Sequence, residues 1–322
     1  MVLYLLAQST CHLIAQDSSS LNGLSDFIEI RSHNDYYYIN RSSDRYFSSG
    51  NRLIVQSQLF QNGLLGFGHF FPWQFQKEAA PNIFQLQLDH NIYTPFDILT
   101  DNPAEMDRPY AGLLLMHLIN HTYLEKQKAI LKKEILLGWV GPAVRAQEIQ
   151  NWFHKLTRWP AAKGWNFQLR NQLVYGLELA WWQAFNPHSP EKEHNLAYEI
   201  KAHLSSLTSE INLGLHYQAG HFLPLISPKH PFKKGFAWNF FIKLDLTIIP
   251  HNNLINGQVL SVSSSQKLSI NRLIPVLLRG EHGFRLRFQS WELSLGQQVL
   301  SPEFRGGAAH LSGSISLRKY FH

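Results

Sequence analysis

At 322 residues and 37.2 kDa, the chain has room for one large domain or two to three average ones, and for a substantial core. Only 16% of its residues are Asp, Glu, Lys or Arg, against roughly 25% in an ordinary soluble domain, while 13% are aromatic and 44% hydrophobic, a balance that argues against both a disordered chain and a helical membrane bundle. The net charge of +6 suits an anionic neighbour without naming one, and with no zinc-finger spacing and no dense Lys/Arg run a nucleic-acid partner is not expected.

In chain order, residues 1–15 come first. Their apolar core and small-residue end near Ala15 are similar to a secretory signal, although the basic stretch that usually precedes such a core is missing. Cys11 is the single cysteine, so neither an intrachain disulfide nor a cysteine-based metal cluster is expected. No later segment offers 18 uninterrupted apolar residues, which argues against a helical membrane span.

Beyond that segment the dominant signal has period two. Ile211, Leu213, Leu215, Tyr217 and Ala219 share one face, with Glu210, Asn212, Gly214, His216 and Gln218 on the other. Leu196 to Leu204 and Phe236 to Ile248 alternate in the same way. Such spacing lines residues up on a strand and would scatter them around a helix. Strands are expected near 26–34, 50–60, 83–91, 110–121, 131–140, 170–184, 194–206, 208–219, 236–249, 258–270, 283–296 and 311–321. The phase slip between Phe288 and Trp291 reads as a bulge inside 283–296. These strands are longer than the roughly 5–6 residues of soluble sheets and suit the roughly 9–11 of a tilted transmembrane strand. The expected fold is a single antiparallel transmembrane β-barrel of about twelve strands over residues 26–322, a multi-pass barrel of the bacterial outer membrane. A large soluble sandwich or barrel explains the alternation, but less well the strand length, low charge and aromatic excess.

With strand 1 starting in the periplasm, three polar, Gly- and Pro-rich loops near 35–49, 92–109 and 141–169 fall on one extracellular rim. They carry His33-Asn34-Asp35 and Asp44 to Gly50; Tyr93-Thr94-Pro95 and Asp107 to Gly112; and Gly141 to His154 with Gly164 to Leu169. In the third loop Ile149, Trp152, Phe153 and Leu156 have helical spacing, with Gln147, Gln150 (or Asn151) and His154 near another face. A short helix over the barrel mouth is expected, with His154 looking inward. A pore needs no such cluster; an enzyme at the outer surface does.

The chemistry open to these residues is limited. There is no Gly-x-Ser-x-Gly elbow and no His-Glu-x-x-His zinc run. A neutral His can deprotonate water, and Asp35 with amide or backbone oxygens suits a hard cation such as calcium. Asn34 and Ser48 could orient an ester oxygen or complete the cation's shell. Arg45 and Arg108 read either as phosphate clamps or as structural salt-bridge partners.

Taken in order, these motifs resemble the lipid A 3'-O-deacylase family of outer-membrane enzymes over roughly residues 26–172. They are Asn34-Asp35, Asp44-Arg45-Tyr46-Phe47-Ser48-Ser49-Gly50, Tyr93-Thr94-Pro95, Asp107 to Gly112, Gly141 to His154, and Gly164 to Leu169. The resemblance implies a twelve-stranded barrel and calcium-assisted hydrolysis of the 3'-acyloxyacyl ester of lipid A. It implies His154 as general base, Asp35 as the carboxylate associated with calcium, and Asn34 and Ser48 at the catalytic centre. On this reading Arg45 and Arg108 contact a phosphorylated lipid, and the protein acts as a monomer among outer-membrane lipids. Three departures stand out: Ser48 where the family usually has Thr, Ser49 for Asn, and Gln172 where many members carry Glu. Another outer-membrane phospholipase or lipid esterase, a non-enzymatic porin or structural barrel, and a homologous barrel that has lost activity are the alternatives.

Overall fold

The computed structural model describes residues 26–39, 46–61, 66–71, 82–124, 127–185, 194–221, 235–256 and 273–321. The signal-like segment 1–15, Arg45 and the expected strand 258–270 lie outside them. Twelve strands form one closed antiparallel ring: β1 (Asp26–Asn34), β2 (Tyr46–Gln56), β3 (Asn82–Thr94), β4 (Ala111–Leu124), β5 (Ala129–Val140), β6 (Gln172–Ala184), β7 (His194–Ser205), β8 (Thr208–His221), β9 (Phe236–Asn252), β10 (Val276–Phe288), β11 (Trp291–Leu300) and β12 (His310–Phe321). The seam pairs β1 with β12, from Asp26 opposite Phe321 to Asn34 opposite Gly313. Closure removes the sheet edge, which a chain surrounded by lipid requires.

The strand count of twelve agrees with expectation, but two members differ. The stretch 283–296 is a hairpin, with Phe288 of β10 opposite Trp291 of β11 across Gln289-Ser290. What looked like a bulge is a two-residue turn, and Gln289 takes the left-handed backbone (φ 52°) that such turns need. In turn, β9 pairs directly with β10, so the ring closes without 258–270.

The alternation produces an inside-out protein. Leu177, Leu179, Leu213, Leu215, Leu244, Leu246, Leu293 and Leu295 are exposed on the outer wall. Buried polar residues line the interior, among them Glu29, Gln87, Asp89, Glu134, Glu199, Asn212, His216 and Asp245. These are the lipid-facing and lumen-facing sets of a transmembrane barrel. Ion pairs run across neighbouring strands: Arg52 donates to Asp89 at 2.8 and 2.7 Å, His117 meets Glu134 at 2.6 Å and Lys132 meets Glu178 at 2.7 Å. No helix among the described residues is long and apolar enough to cross a membrane.

Both ends of the described barrel, Asp26 and Phe321, lie on one rim. The opposite rim carries the connections 35–45, 95–110 and 141–171. The helix α1 (Ala146–Thr157) lies in the last of these.

Candidate functional site

The far rim has its own apolar core. Ile92, Ile98, Tyr110, Ala146, Ala162 and Trp165 pack together, with Trp165 fully buried and its ring centroid 4.8 Å from that of Tyr110. Backbone bonds stitch the loops to this core: Lys163 N–H donates to Ile98 O (2.9 Å) and Leu169 N–H to Tyr110 O (2.9 Å). Gly141, at φ 115°, turns the chain out of β5, and Gly112 lets α1 close on the wall, since a Cβ there would stand 2.4 Å from Ala146 Cβ. The Asp-Arg-Pro-Tyr-Ala-Gly and Gly-Trp motifs are therefore the seat of α1.

That seat fixes which way the helix faces. Ala146, Gln150 and His154, spaced four apart, are its buried residues, and His154 is 4% exposed. Trp152 (65%), Leu156 (68%) and Ile149 lie exposed on the other side. The polarity is inverted relative to a helix on a soluble domain. His154 sits near the C-terminal end of α1, and its Nδ1 is 2.6 Å from Pro160 O. A carbonyl only accepts, so the ring proton is on Nδ1. In the neutral ring Nε2 then carries the lone pair.

Gln150 ties the helix to the wall. Its Nε2 donates to Ser48 Oγ (3.3 Å) and its Oε1 accepts from Trp165 Nε1 (2.7 Å). Ser48 was expected in a loop; the structure places it on β2, which begins at Tyr46, four residues before the expected start. It lies at a bulge, where the register to β3 shifts between Phe47 and Ser49. A bulge re-aims a side chain, and Ser48 is buried. Neither the bulge nor the bridging role of Gln150 can be read from the sequence, because both depend on cross-strand register.

Asn34 ends β1 and caps the following 3-10 turn (Asp35–Tyr37), its Oδ1 accepting from Tyr36 N–H at 2.8 Å. Asn34 and Asp35 are both buried. Tyr36 meets Phe153 of α1 edge to face at 6.4 Å, so this turn and the helix touch across the mouth. The structure thus brings Ser48 to α1 through Gln150, and the Asn34-Asp35 turn to α1 through Tyr36. Asn34 also stands opposite Ser49 in the β1–β2 register.

Arg108 is elsewhere. Its Nη1 donates to Glu303 at 3.0 Å, its guanidinium lies 4.9 Å from the centroid of the Tyr93 ring, and the residue is 2% exposed. This ties the β3–β4 connection to the β11–β12 connection.

A second polar group was missed by sequence reading. In the lumen Glu199, His216 and Asp245, all buried, present one ligand atom each within 4.8 Å of one another, a set that could coordinate a metal ion. They occupy inward positions of three strands, and only the register reveals that they meet.

The family model for the outer membrane protein LpxR matches residues 1–321. The chain belongs to the LpxR family. The structure of LpxR from Salmonella typhimurium superposes with a TM-score of 0.72 at 17% identity, covering 92% of this chain and all of that one, so the barrel architecture is shared. Weaker likenesses are to the KdgM porin (TM-score 0.41, 7% identity, 92% of this chain and 99% of that one) and to the translocator domain of the autotransporter NalP from Neisseria meningitidis (0.43, 9%, 99% and 97%). No curated protein matches the sequence. Membership of the LpxR family and the closed barrel make this an outer-membrane β-barrel protein and support a hydrolase of the esterase type.

Proposed function

We propose that the protein is a lipid A 3'-O-deacylase acting at the extracellular rim of the outer membrane, hydrolysing the 3'-acyloxyacyl ester of lipopolysaccharide. The observation that carries this reading is the buried His154, whose Nδ1 proton is held by Pro160 O on the polar side of α1. That hydrogen bond fixes the ring's tautomer and orientation, which a general base requires. Nε2 takes a proton from water as the water oxygen bonds to the ester carbonyl carbon. The tetrahedral intermediate collapses with cleavage of the acyl C–O bond. The imidazolium returns the proton to the departing sugar oxygen, leaving a fatty acid and a free 3'-hydroxyl.

Asn34 has its amide NH2 to offer the oxyanion, because its Oδ1 already accepts from Tyr36 N–H. Ser48 accepts from Gln150, which directs its own hydroxyl proton away from Gln150. For calcium the donor chemistry fits: the buried Asp35 carboxylate, with the Ser48 hydroxyl on the neighbouring strand and backbone oxygens of the turn, is an oxygen-only set. Bound there, calcium would polarise the ester carbonyl. Arg45 is the residue we propose for a phosphate of lipid A; Arg108, already paired with Glu303, is read as a structural tie. The exposed Ile149, Trp152 and Leu156 offer apolar surface beside the ester-cleaving group.

The test is His154→Ala in purified, folded protein, with lipid A followed by mass spectrometry with and without a chelator. The expected loss is about 10²–10⁴-fold, the usual contribution of a general base, and chelation should silence the parent protein. Unchanged deacylation overturns the assignment. Glycerophospholipid supplied beside lipid A separates a phospholipase from a deacylase, and steady conductance with no ester cleavage would identify a porin.

A further inference from the structure

The lumenal group lies well below the rim site. Glu199 stands opposite Gly214, Gly214 opposite Asp245, and His216 opposite Lys243, which puts the cluster midway along β7, β8 and β9. His216 Nε2 is 3.3 Å from Glu199 Oε2. Two donors on a tetrahedral zinc ion, each at about 2.0–2.2 Å, are separated by roughly that distance. The His216 ring is packed against Trp182, centroids 4.4 Å apart, which holds its orientation.

Two independent observations point to a ligand. Both carboxylate oxygens of Asp245 are buried without a hydrogen-bond partner, on a side chain 1% exposed. Lys243 Nζ stands 3.5 Å from Asp245 and 4.0 Å from Glu199, so one ammonium faces two buried carboxylates. Two carboxylates share that ammonium in a desolvated place and Asp245 accepts no hydrogen bond, an arrangement that is costly to hold. The second observation is the close approach at Gly214. A Cβ there would meet Asp245 Oδ1 at 2.7 Å, His216 Nε2 at 3.1 Å and Glu199 Oε2 at 3.3 Å, so only the missing side chain lets the three ligand atoms converge over this strand.

We propose that Glu199, His216 and Asp245 form a divalent transition-metal site of the zinc class, which staples β7, β8 and β9 from inside the barrel. An imidazole donor and a three-residue shell favour such an ion over calcium, which takes six to eight oxygens. Lys243 holds the place in the metal-free protein and retracts along its flexible stem into the adjoining cavity of about 220 Å³, which it lines together with His216 and Glu281. The same cavity supplies water for the fourth position and a path of entry.

The test uses tag-free, full-length protein folded in detergent, stripped with chelator and titrated with Co2+ and then Zn2+. One Co2+ per chain should give visible ligand-field absorption, Zn2+ should bleach it and raise the thermal midpoint, and excess Ca2+ should not displace it. Asp245→Asn should weaken binding by more than about 100-fold, beyond the 10–100-fold cost of losing a residue that merely supports a ligand. Gly214→Ala, which keeps every ligand, should weaken it as well, and Lys243→Met should tighten it by removing the competing cation. Asp35→Asn should leave the stoichiometry unchanged. The proposal is overturned if the parent binds no stoichiometric Co2+, if Asp245→Asn binds as well as the parent, or if Asp35→Asn abolishes binding and so places the ion at the rim.

Discussion

At the far rim, Trp165 is buried against Tyr110, Ile98 and Ala146, and the polar groups of α1 hang from that packing. Halfway down the lumen the inward positions are filled by Arg52 on Asp89, His117 on Glu134 and Lys132 on Glu178. The first region coheres like the core of a soluble domain, through apolar burial. The second coheres through paired charges on a wall whose apolar side faces outward, and the closed backbone ladder carries the rest. Damage to the two regions should therefore look different: a rim lesion loosens α1 and spares the barrel, whereas a lumen lesion weakens the barrel and spares the chemistry.

Trp165→Ala should have the largest effect, a cavity cost of about 3–5 kcal/mol, concentrated on the α1 loop. Limited proteolysis should cut between 141 and 171 while heat-modifiable gel migration still reports a folded barrel, and lipid A hydrolysis should fall with it. If the barrel melts as one unit with that loop, the division between regions fails. Asp89→Asn comes next, removing a bidentate partner from Arg52, whose side chain is 37% exposed. The expected loss is about 1–3 kcal/mol, between the values for exposed and buried pairs. It should show as a lower thermal midpoint with turnover per folded molecule unchanged, and a fall in turnover at constant midpoint would blur the contrast. Gln150→Ala should be smallest in stability, about 1 kcal/mol for the lost bonds to Trp165 and Ser48. Its signature is catalytic, a lower kcat as Ser48 and α1 lose their shared tether.

The fold was legible because period two survives in β7, β8 and β9, where Leu and Ile alternate with Glu, His and Asn. It misled at Phe288-Gln289-Ser290-Trp291, since that turn contains no Gly, Asn, Asp or Pro to announce it. The helix and the inward face of His154 were legible from the spacing of Ile149, Trp152, Phe153 and Leu156. The α1 seat was not: Tyr110 and Trp165 are 55 positions apart in the chain and meet only through the backbone bond from Leu169 to Tyr110 and the close approach at Gly112. The Glu199, His216 and Asp245 group was hidden for a related reason. Alternation tells which residues face inward but not at what height, and height is set by register.

The turn bearing Asp35 leans on the last strands of the chain. Gln297 of β11 donates to Tyr37 O at 3.0 Å, and Gly313 of β12 makes room for Tyr37, whose carbonyl oxygen would stand 2.6 Å from a Cβ placed there. Those supports arrive only when β12 docks on β1 and the cylinder shuts. A chain still in transit, with its final hairpin unplaced, lacks the buttress for its own carboxylate. On the proposed function, assembly doubles as the arming step: the turn that carries Asp35 gains its last supports from the same closure that finishes the barrel.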